Sequence, residues 1–587
     1  MSENSQEHQR TFSTMSDSSL SDNDLSLTNT QVKIKEITDP VIKRKKIFTS
    51  FLKKRETQQW LVKIFPLLLL AIFLVIMLVT VFVQADQYGI TIDEPGENTY
   101  GQLVWSWYAT LGRDTSFLRF HPYSNIQDHG VIFNVIVAEA QHIFGGQWHT
   151  RAVVTGLAGV VGVLAIALCG FELAGWWGAL LAALTLWLYP RYFGAIFNNS
   201  KDIPFAAAMA LVLWSVLLLV RHWKTRRRYL LLSILVGFML GLAIAVRVVA
   251  VIWYPILILL VAGWWLNSGR QAYLQKETRT NIVKQALAVA IITVVSLLTM
   301  IALWPYVAVD PLRNLYNAIK IMRQYPYNGL VPFNGLNYQA YNLPGSYVPT
   351  WLVIGSPPAV VFFAVIGGLV VCAILITKKR IDPKVIVICL ALLVPVGTLI
   401  EQHTTLYDGL RQFLFVIPPM LLLAVYGFMK LFTYLARRRW TIAVVALVLL
   451  TLVAQVQVVI DMSNLHPYEY MYFSPLIGGV PGANGRYDMD YWGVCNKPSA
   501  EWLAQNYQKY TDSTSPTVVS PFDPELVLLY LPGAFKEVGS DPDFIISVAW
   551  EYSARQFPSY TIIHTEGVDG YVGCVVLAKS VFVHSRR

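Results

Sequence analysis

Residues 61–83 read LVKIFPLLLLAIFLVIMLVTVFV, an uninterrupted apolar run with a single charge, Lys63, near its start. A helix of about 20 apolar residues crosses the hydrocarbon core of a bilayer, so this stretch predicts a transmembrane segment. It lies too far from the start and is too long for a signal peptide, so it is expected to remain as an anchor. Upstream, residues 1–45 are rich in Ser, Asp, Asn and Gln, and they predict a disordered tail because such a composition cannot bury a core. The basic residues Lys43, Arg44, Lys45, Lys46, Lys53, Lys54 and Arg55 stand between tail and anchor. They place the tail in the cytoplasm and the chain after Val83 on the outer side.

The composition says the same of the whole chain. Of 587 residues, 55% are hydrophobic and only 14% charged, with a mean hydropathy of +0.48. A soluble chain carries about 25% charged residues. The net charge of +10 does not signal nucleic-acid binding, because the Lys and Arg sit in short clusters between apolar runs. Further spans are expected at residues 152–170, 177–189, 203–220, 229–245, 248–265, 282–306, 349–377, 385–400, 413–435 and 441–460. With the first, this makes about eleven, and each basic cluster, including Arg221–Arg228, falls on one side. The predicted fold class is therefore mainly α, a polytopic transmembrane helical bundle. Gly130–Phe144 is apolar but short and carries Glu139, Gln141 and His142, so it reads as a helix along the outer interface. Residues 61–460 form the membrane domain. Residues 461–587 turn soluble in composition and predict a small α/β domain outside the membrane, with a helix at Pro498–Tyr510 and strands near Thr517–Ser520, Asp543–Trp550, Thr561–His564 and Cys574–Leu577. The expected location is the bacterial inner (plasma) membrane.

Just beyond the first span comes ITIDEPGENTY, Ile90–Tyr100. Asp93 and Glu94 are adjacent carboxylates close to a membrane face, where charge is costly unless solvated, paired or used. Pro95 and Gly96 interrupt the chain, and a helix-compatible segment follows with Trp105, Trp107 and Tyr108. This pattern fits an acid pair at the mouth of a cavity; an exposed turn with two solvated acids fits it too. The topology brings two more clusters to the same face. One is Asn198–Pro204, with Lys201 and Asp202; the other is Tyr407–Arg411, with Asp408. Both open an inward helix, whose free N–H groups suit a phosphate. Plain structural roles remain open: a helix cap for Asp202, an interface anchor for Arg411 and snorkelling for Lys201. Arg247, between two apolar runs, is paired or snorkelled, or touches a phosphate. His121, His129, His142 and His149 have no metal-motif spacing, so neither metal nor cofactor is expected. The Tyr- and Gly-rich stretch His466–Gly493 reads as a structured neck or as an acceptor-binding surface. Cys495 and Cys574 lie beyond the last span, where an oxidising space favours a bridge; two separate buried thiols are the alternative.

In this order the motifs resemble the GT-C membrane glycosyltransferases, in the branch of the protein O-mannosyltransferases and the lipid A aminoarabinose transferase. The resemblance covers Leu61–Ile460. It rests on the first-loop Asp-Glu, on Phe144-Gly145 before the Arg151-led second span, on the Asp202-x-Pro204 helix start, and on Arg411 with Pro418 and Pro419 just after it. It implies a sugar donor on a polyprenyl or dolichyl monophosphate, a lipid, glycan or protein acceptor, membrane lipids as surroundings, and no nucleic acid. Asp93, with Glu94 beside it, and Asp202 take the catalytic places. Lys201, Arg411 and Arg247 would hold the donor phosphate. Trp105, Tyr108, His129, Tyr407 and Asp408 would contact substrate. Relatives often carry Lys-Pro or His-Pro-Pro late in the first loop, where this chain has Asp128-His129-Gly130. A transporter or lipid flippase is the rival reading, but such a protein should show internal repeats and midplane charges, and neither stands out.

Overall fold

The computed structural model describes residues 64–585 apart from 122–125, 224, 269–275, 378–380, 522 and 550–556. The predicted N-terminal tail and its basic cluster lie outside the described residues. Residues from Pro66 onward form one compact unit.

Among the described residues, nine helices are long and apolar enough to cross a membrane, so the chain is an integral membrane protein. Most match the expected spans, with differences at 248–265 and 349–377. The predicted spans at 152–170 and 177–189 are both present, as the two helical arms of Gln147–Trp187 on either side of a turn at Ala174 and Gly175. Gly175 has φ +64°, a left-handed backbone that glycine adopts without steric cost. The two arms fold back on each other so closely that a Cβ on Gly170 would lie 2.3 Å from the Gly178 carbonyl oxygen. The predicted span at 248–265 is a 3-10 turn, Val248–Ile252, followed by a shorter helix, Trp253–Ser268. The predicted span at 349–377 is two helices, Tyr347–Ile354 and Pro358–Ile376, divided at Gly355-Ser356-Pro357. Pro357 has no N–H to donate and disfavours helical backbone in the residue before it.

The helix Asp202–His222 spans the core of the bundle, and its two ends carry different chemistry. At about 1.5 Å per residue, Arg221 lies roughly 29 Å from Asp202, close to the thickness of the hydrocarbon core. At the Arg221 end, the buried Glu172 accepts from Arg221 at 2.6 Å and faces Lys384 at 3.7 Å, tying three helices together. The Asp202 end is where the sequence motifs converge. The helix Ile132–Phe144 lies against Glu94–Ala109, with Gly101 so near Asn134 that a Cβ would meet its carbonyl oxygen at 2.7 Å.

The predicted outer loop at 307–348 is largely structured. It holds the helices Pro305–Val309 and Pro311–Arg323 and an antiparallel hairpin, β1 (Leu330–Phe333) with β2 (Leu336–Gln339). Beyond Leu465 the neck leads to a five-stranded sheet of β3 (Thr517–Val519), β4 (Lys536–Glu537), β5 (Phe544–Val548), β6 (Tyr560–Val568) and β7 (Tyr571–Lys579), in the order β4-β3-β5-β7-β6. β3 runs parallel to β4 and β5; β7 runs antiparallel to β5 and β6. All five residues of β5 are buried, as befits a strand covered on both faces. The helix Asn496–Asn506 packs Ala500 and Leu503 on this sheet, and Ile90, from the segment after the first span, joins the same core. Cys495 and Cys574 are disulfide-bonded, with Cα atoms 5.6 Å apart, which settles the choice between a bridge and separate thiols.

Candidate active site

The acids and cations picked from three distant stretches meet at one end of the bundle, around Arg411. Its Nε donates to Asp202 Oδ2 at 3.2 Å, one terminal nitrogen donates to Asp408 Oδ2 at 2.8 Å, and the other donates to Asp93 Oδ2. One guanidinium fork thus joins three carboxylates, a task that a lysine ammonium could not perform with the same geometry. Asp202 takes a second cation, Arg247, on its other oxygen. It also accepts from the Asn199 side chain at 3.0 Å, while Asn199 Oδ1 receives the Asp202 N–H at 2.8 Å. Asp202 is thus a 2% exposed anchor for two arginines. Asp93 differs in that 36% of its side chain reaches solvent.

The helix Glu94–Ala109 divides the adjacent acids between two tasks. Glu94 points inward: it accepts from the Thr91 N–H at 2.8 Å and hydroxyl at 3.1 Å, and it pairs with Arg151 at 3.2 Å. Arg151, fully buried at the head of the second span, also donates to Asn134 at 3.2 Å and Ser200 at 2.5 Å. Asn134 donates to Glu97 at 2.5 Å, and Glu97 pairs with Lys201 at 2.6 Å. This second layer fixes Glu94 and Lys201 behind the Arg411 layer. Glu97 was not singled out in the sequence, although it lies three residues after Glu94 and hence on the same helix face.

Electrostatics separate the carboxylates. Burial alone would raise Asp93, but Arg411 and Lys201 hold it well below the usual carboxylate range, so it is ionised at neutral pH. Burial pushes Glu94 up to about 7 against the pull of Arg151. It pushes Asp408 up to about 7 as well, with Asp93 and Asp202 adding and Arg411 opposing. His129 lies in the cluster, beside Lys201 and Arg247 around a void of about 10 Å³, room for one water. Burial and those two cations keep its imidazole neutral, well below the usual value.

The loop before Arg411 is held by unusual backbone. Asp408 and Gly409 have φ of +57° and +64°, and a Cβ on Gly409 would lie 2.8 Å from the Trp351 ring. Tyr407 stacks on Tyr327 at 4.2 Å, and Tyr325 lies between Tyr407 (6.3 Å) and His129 (5.9 Å). The aromatic surroundings of the cluster thus come from the loop after Arg323 and from the neck. The neck runs beneath the cluster, with Trp492 and Tyr491 facing the Arg411 guanidinium at 5.6 and 5.9 Å. Ile92 N–H donates to the Trp492 carbonyl at 3.1 Å, which fastens the neck to the Asp93 loop. Asp490 braces this stretch by accepting from Tyr470 at 2.6 Å and from the N–H groups of Trp492 and Gly493. Below the loop, the buried Arg191 stacks on Trp351 and Phe473 and donates to the Tyr472 carbonyl at 2.8 Å.

Trp105 and Tyr108 are not brought to the cluster. They sit roughly 16 and 21 Å along the helix from Glu94, at 1.5 Å per residue. Trp105 donates to Glu139 at 2.5 Å and lies on His142, and Tyr108 donates to the Ala302 carbonyl at 3.0 Å. Of the other first-loop histidines, His149 pairs with Asp86 at 2.8 Å. Among the described residues, no group of three or more His, Cys, Asp or Glu side chains is arranged to hold a metal ion. A larger cavity, about 230 Å³, lies on the far side of Glu94, between Tyr88, Trp148 and the C-terminal residues Lys497 and Tyr530.

No family model and no curated protein matches the chain. Several solved structures are similar at low identity. ArnT from Cupriavidus metallidurans bound to undecaprenyl phosphate is 13% identical, over 87% of this chain and 97% of that one, with a TM-score of 0.48. The archaeal oligosaccharyltransferase AglB from Archaeoglobus fulgidus, in complex with an inhibitory peptide and a dolichol-phosphate, is 14% identical over 85% and 71%, with a TM-score of 0.48. The arabinofuranosyltransferase AftD from Mycobacteria is 12% identical over 86% and 41%, with a TM-score of 0.38. All three are distant likenesses with TM-scores below 0.5, and the reading of the site stands on its own residues.

Proposed function

We propose that this chain is a membrane glycosyltransferase of the GT-C kind. It moves a sugar from a polyprenyl or dolichyl monophosphate to an acceptor hydroxyl, with inversion, at the membrane face that bears the Arg411 cluster. The observation that carries this reading is the Arg411 fork, which ties the partly exposed Asp93 to the buried Asp202 and to Asp408. The reaction needs a carboxylate to take the acceptor proton and cations to hold a phosphate as its charge grows. Both sets of groups stand in the same few ångströms here.

In this reading the cations and the base are coupled. While Arg411 donates to Asp93, that carboxylate is held so acidic that it is a weak base. A donor phosphate binding Arg411, with Arg247 and Lys201 beside it, draws the guanidinium away from Asp93. The carboxylate then becomes more basic at the moment the donor is seated. The acceptor hydroxyl gives its proton to Asp93 as its oxygen bonds to the anomeric carbon, and the bond from that carbon to the phosphate oxygen breaks, leaving the lipid phosphate with the electron pair. Asp202 stays ionised between Arg247 and Arg411 and positions both. Glu94, locked to Arg151 and Thr91, positions the Asp93 loop rather than touching substrate. Tyr407, Tyr327 and Tyr325, rather than Trp105 and Tyr108, supply the aromatic wall, and the neutral His129 offers hydrogen bonds to a sugar or phosphate oxygen.

The test is transfer in isolated membranes from a panel of defined polyprenyl-phosphate sugars carrying radiolabelled hexoses and pentoses. Label passing from at least one donor to lipid, glycan or protein, and depending on this chain, is expected. Transport of the intact lipid across the bilayer, with no transfer from any donor, would contradict the proposal.

A further inference from the structure

The helix Pro311–Arg323, PLRNLYNAIKIMR, starts eight residues after Leu303 closes the helix Lys276–Leu303. It is capped by Asp310, whose side chain accepts the Arg313 N–H at 3.3 Å. One face is covered: Ala318 is fully buried, and Leu315 and Met322 pack on the main core. A second apolar stripe is not. Leu312, Tyr316 and Ile319 are 87%, 66% and 41% exposed. At about 100° per residue, they fall within roughly 60° of one another on the helix surface. The exposed basic residues Lys320 and Arg313 lie along one edge of that stripe, the exposed Arg323 closes its C-terminal end, and the helix has no acidic residue. Val309, just upstream, is exposed as well.

We propose that this stripe is a lipid-contacting surface. The helix lies flat in the leaflet that the chain leaves at Leu303, with Leu312, Tyr316 and Ile319 in the acyl boundary and Arg313, Lys320 and Arg323 on anionic phospholipid headgroups. A water-facing helix would not leave three large apolar side chains in one row, whereas an interfacial helix requires that row beside a basic edge. Tyrosine is a preferred residue at this depth, and arginine and lysine reach headgroups from beside an apolar stripe. The short connection from Leu303 brings the bilayer itself within reach, and the all-basic edge complements an anionic surface. Two residues after Arg323 the chain reaches Tyr325 and then Tyr327, which pack against His129 and Tyr407. The helix therefore sets the cluster at headgroup height. The proposal concerns lipid contact alone and is independent of the reaction proposed above.

Site-directed spin labelling tests it in the full chain. Single cysteines are placed by Leu312→Cys, Tyr316→Cys and Ile319→Cys, with Asn337→Cys on the exposed β2 strand as the aqueous control, after the free cysteines Cys169, Cys372 and Cys389 are replaced. Each protein is reconstituted in vesicles of phosphatidylcholine, with or without phosphatidylglycerol. The three helix labels are expected to be more accessible to oxygen than to a water-soluble nickel chelate, and the Asn337→Cys label the reverse. Phosphatidylglycerol should deepen the helix labels, and Arg313→Gln with Lys320→Gln and Arg323→Gln should remove that deepening. Helix labels that follow the nickel chelate in both vesicles would overturn the proposal. So would labels immobile and shielded from both reagents, which would mean that protein covers the stripe. A position indifferent to phosphatidylglycerol would overturn the headgroup contact.

Discussion

Replacing Arg411 with alanine removes the group that joins three carboxylates, and its effect on stability follows from their surroundings. Asp202 keeps Arg247, whereas among the described residues Arg411 is the cation in salt-bridge contact with Asp93 and Asp408. Breaking a buried pair by deleting one partner costs about 3–5 kcal/mol, because the remaining charge is left uncompensated. Asp93 is partly exposed, so solvent screens its share and the lower end, about 3 kcal/mol, is expected. The pH dependence carries a definite sign. Without the guanidinium, the carboxylates bind protons that the unfolded chain has already lost, so the variant loses stability as pH rises. The thermal midpoint of Arg411→Ala in detergent should fall below that of the parent protein by more at pH 8 than at pH 6. Adding Asp93→Asn should recover part of the loss, since one stranded charge is gone. An Arg411→Ala protein as stable as the parent at both pH values would refute the claim that this fork holds the cluster together.

Three further outcomes follow from the same geometry. Arg411→Lys should restore stability more than donor use, because an ammonium cannot hold two phosphate oxygens in a planar fork; donor KM measured beside the thermal midpoint separates the two. Asp408, raised from 3.8 to about 7, keeps a proton in the folded state that the unfolded chain loses, so its contribution to stability declines as pH rises from about 4 to about 7; Asp408→Asn should lessen the slope there, leaving the share of Glu94, which burial raises into the same range, and an undiminished slope would contradict the part given to Asp408. The Cys495–Cys574 bridge spans 79 residues, and on the chain-entropy model its loss costs about 3–5 kcal/mol; Cys574→Ser should make the C-terminal domain susceptible to limited proteolysis at a lower temperature, and an unchanged profile would contradict that estimate.

Much of the architecture is legible in the sequence, because hydrophobic length and basic punctuation are direct consequences of the bilayer. The places where the reading and the structure part are local. The two crossings at 152–170 and 177–189 are as expected, but the left-handed backbone that joins them at Ala174-Gly175 is one that no periodicity reveals. Gly355-Ser356-Pro357 divides an apolar stretch whose composition looks continuous, although Pro357 and Pro358 mark the break. In the site, the motifs at Asp93, Lys201-Asp202 and Tyr407–Arg411 were visible because charge beside apolar runs is rare. Their division of labour was not. That Glu94 serves Arg151 while Asp93 serves Arg411 depends on which way two adjacent side chains leave a helix start. Proximity in sequence points Trp105 and Tyr108 toward the site, but the rise of the helix Glu94–Ala109 carries them away. The neck contribution of Asp490 and Trp492 depends on long-range packing, of which the only trace in the sequence is the density of Tyr and Gly.

The central claim is that Asp93 is the base, coupled to donor phosphate through Arg411. The most direct measurement compares parent protein and Asp93→Asn in two readouts: binding of a polyprenyl-phosphate sugar that the parent uses, and transfer of that sugar. The account predicts retained or tighter donor binding, because Arg411 loses a competing carboxylate, with transfer reduced by about 10²–10⁴-fold, the usual loss on removing a general base. An Asp93→Asn protein that binds donor and turns it over at a near-normal rate would contradict the account.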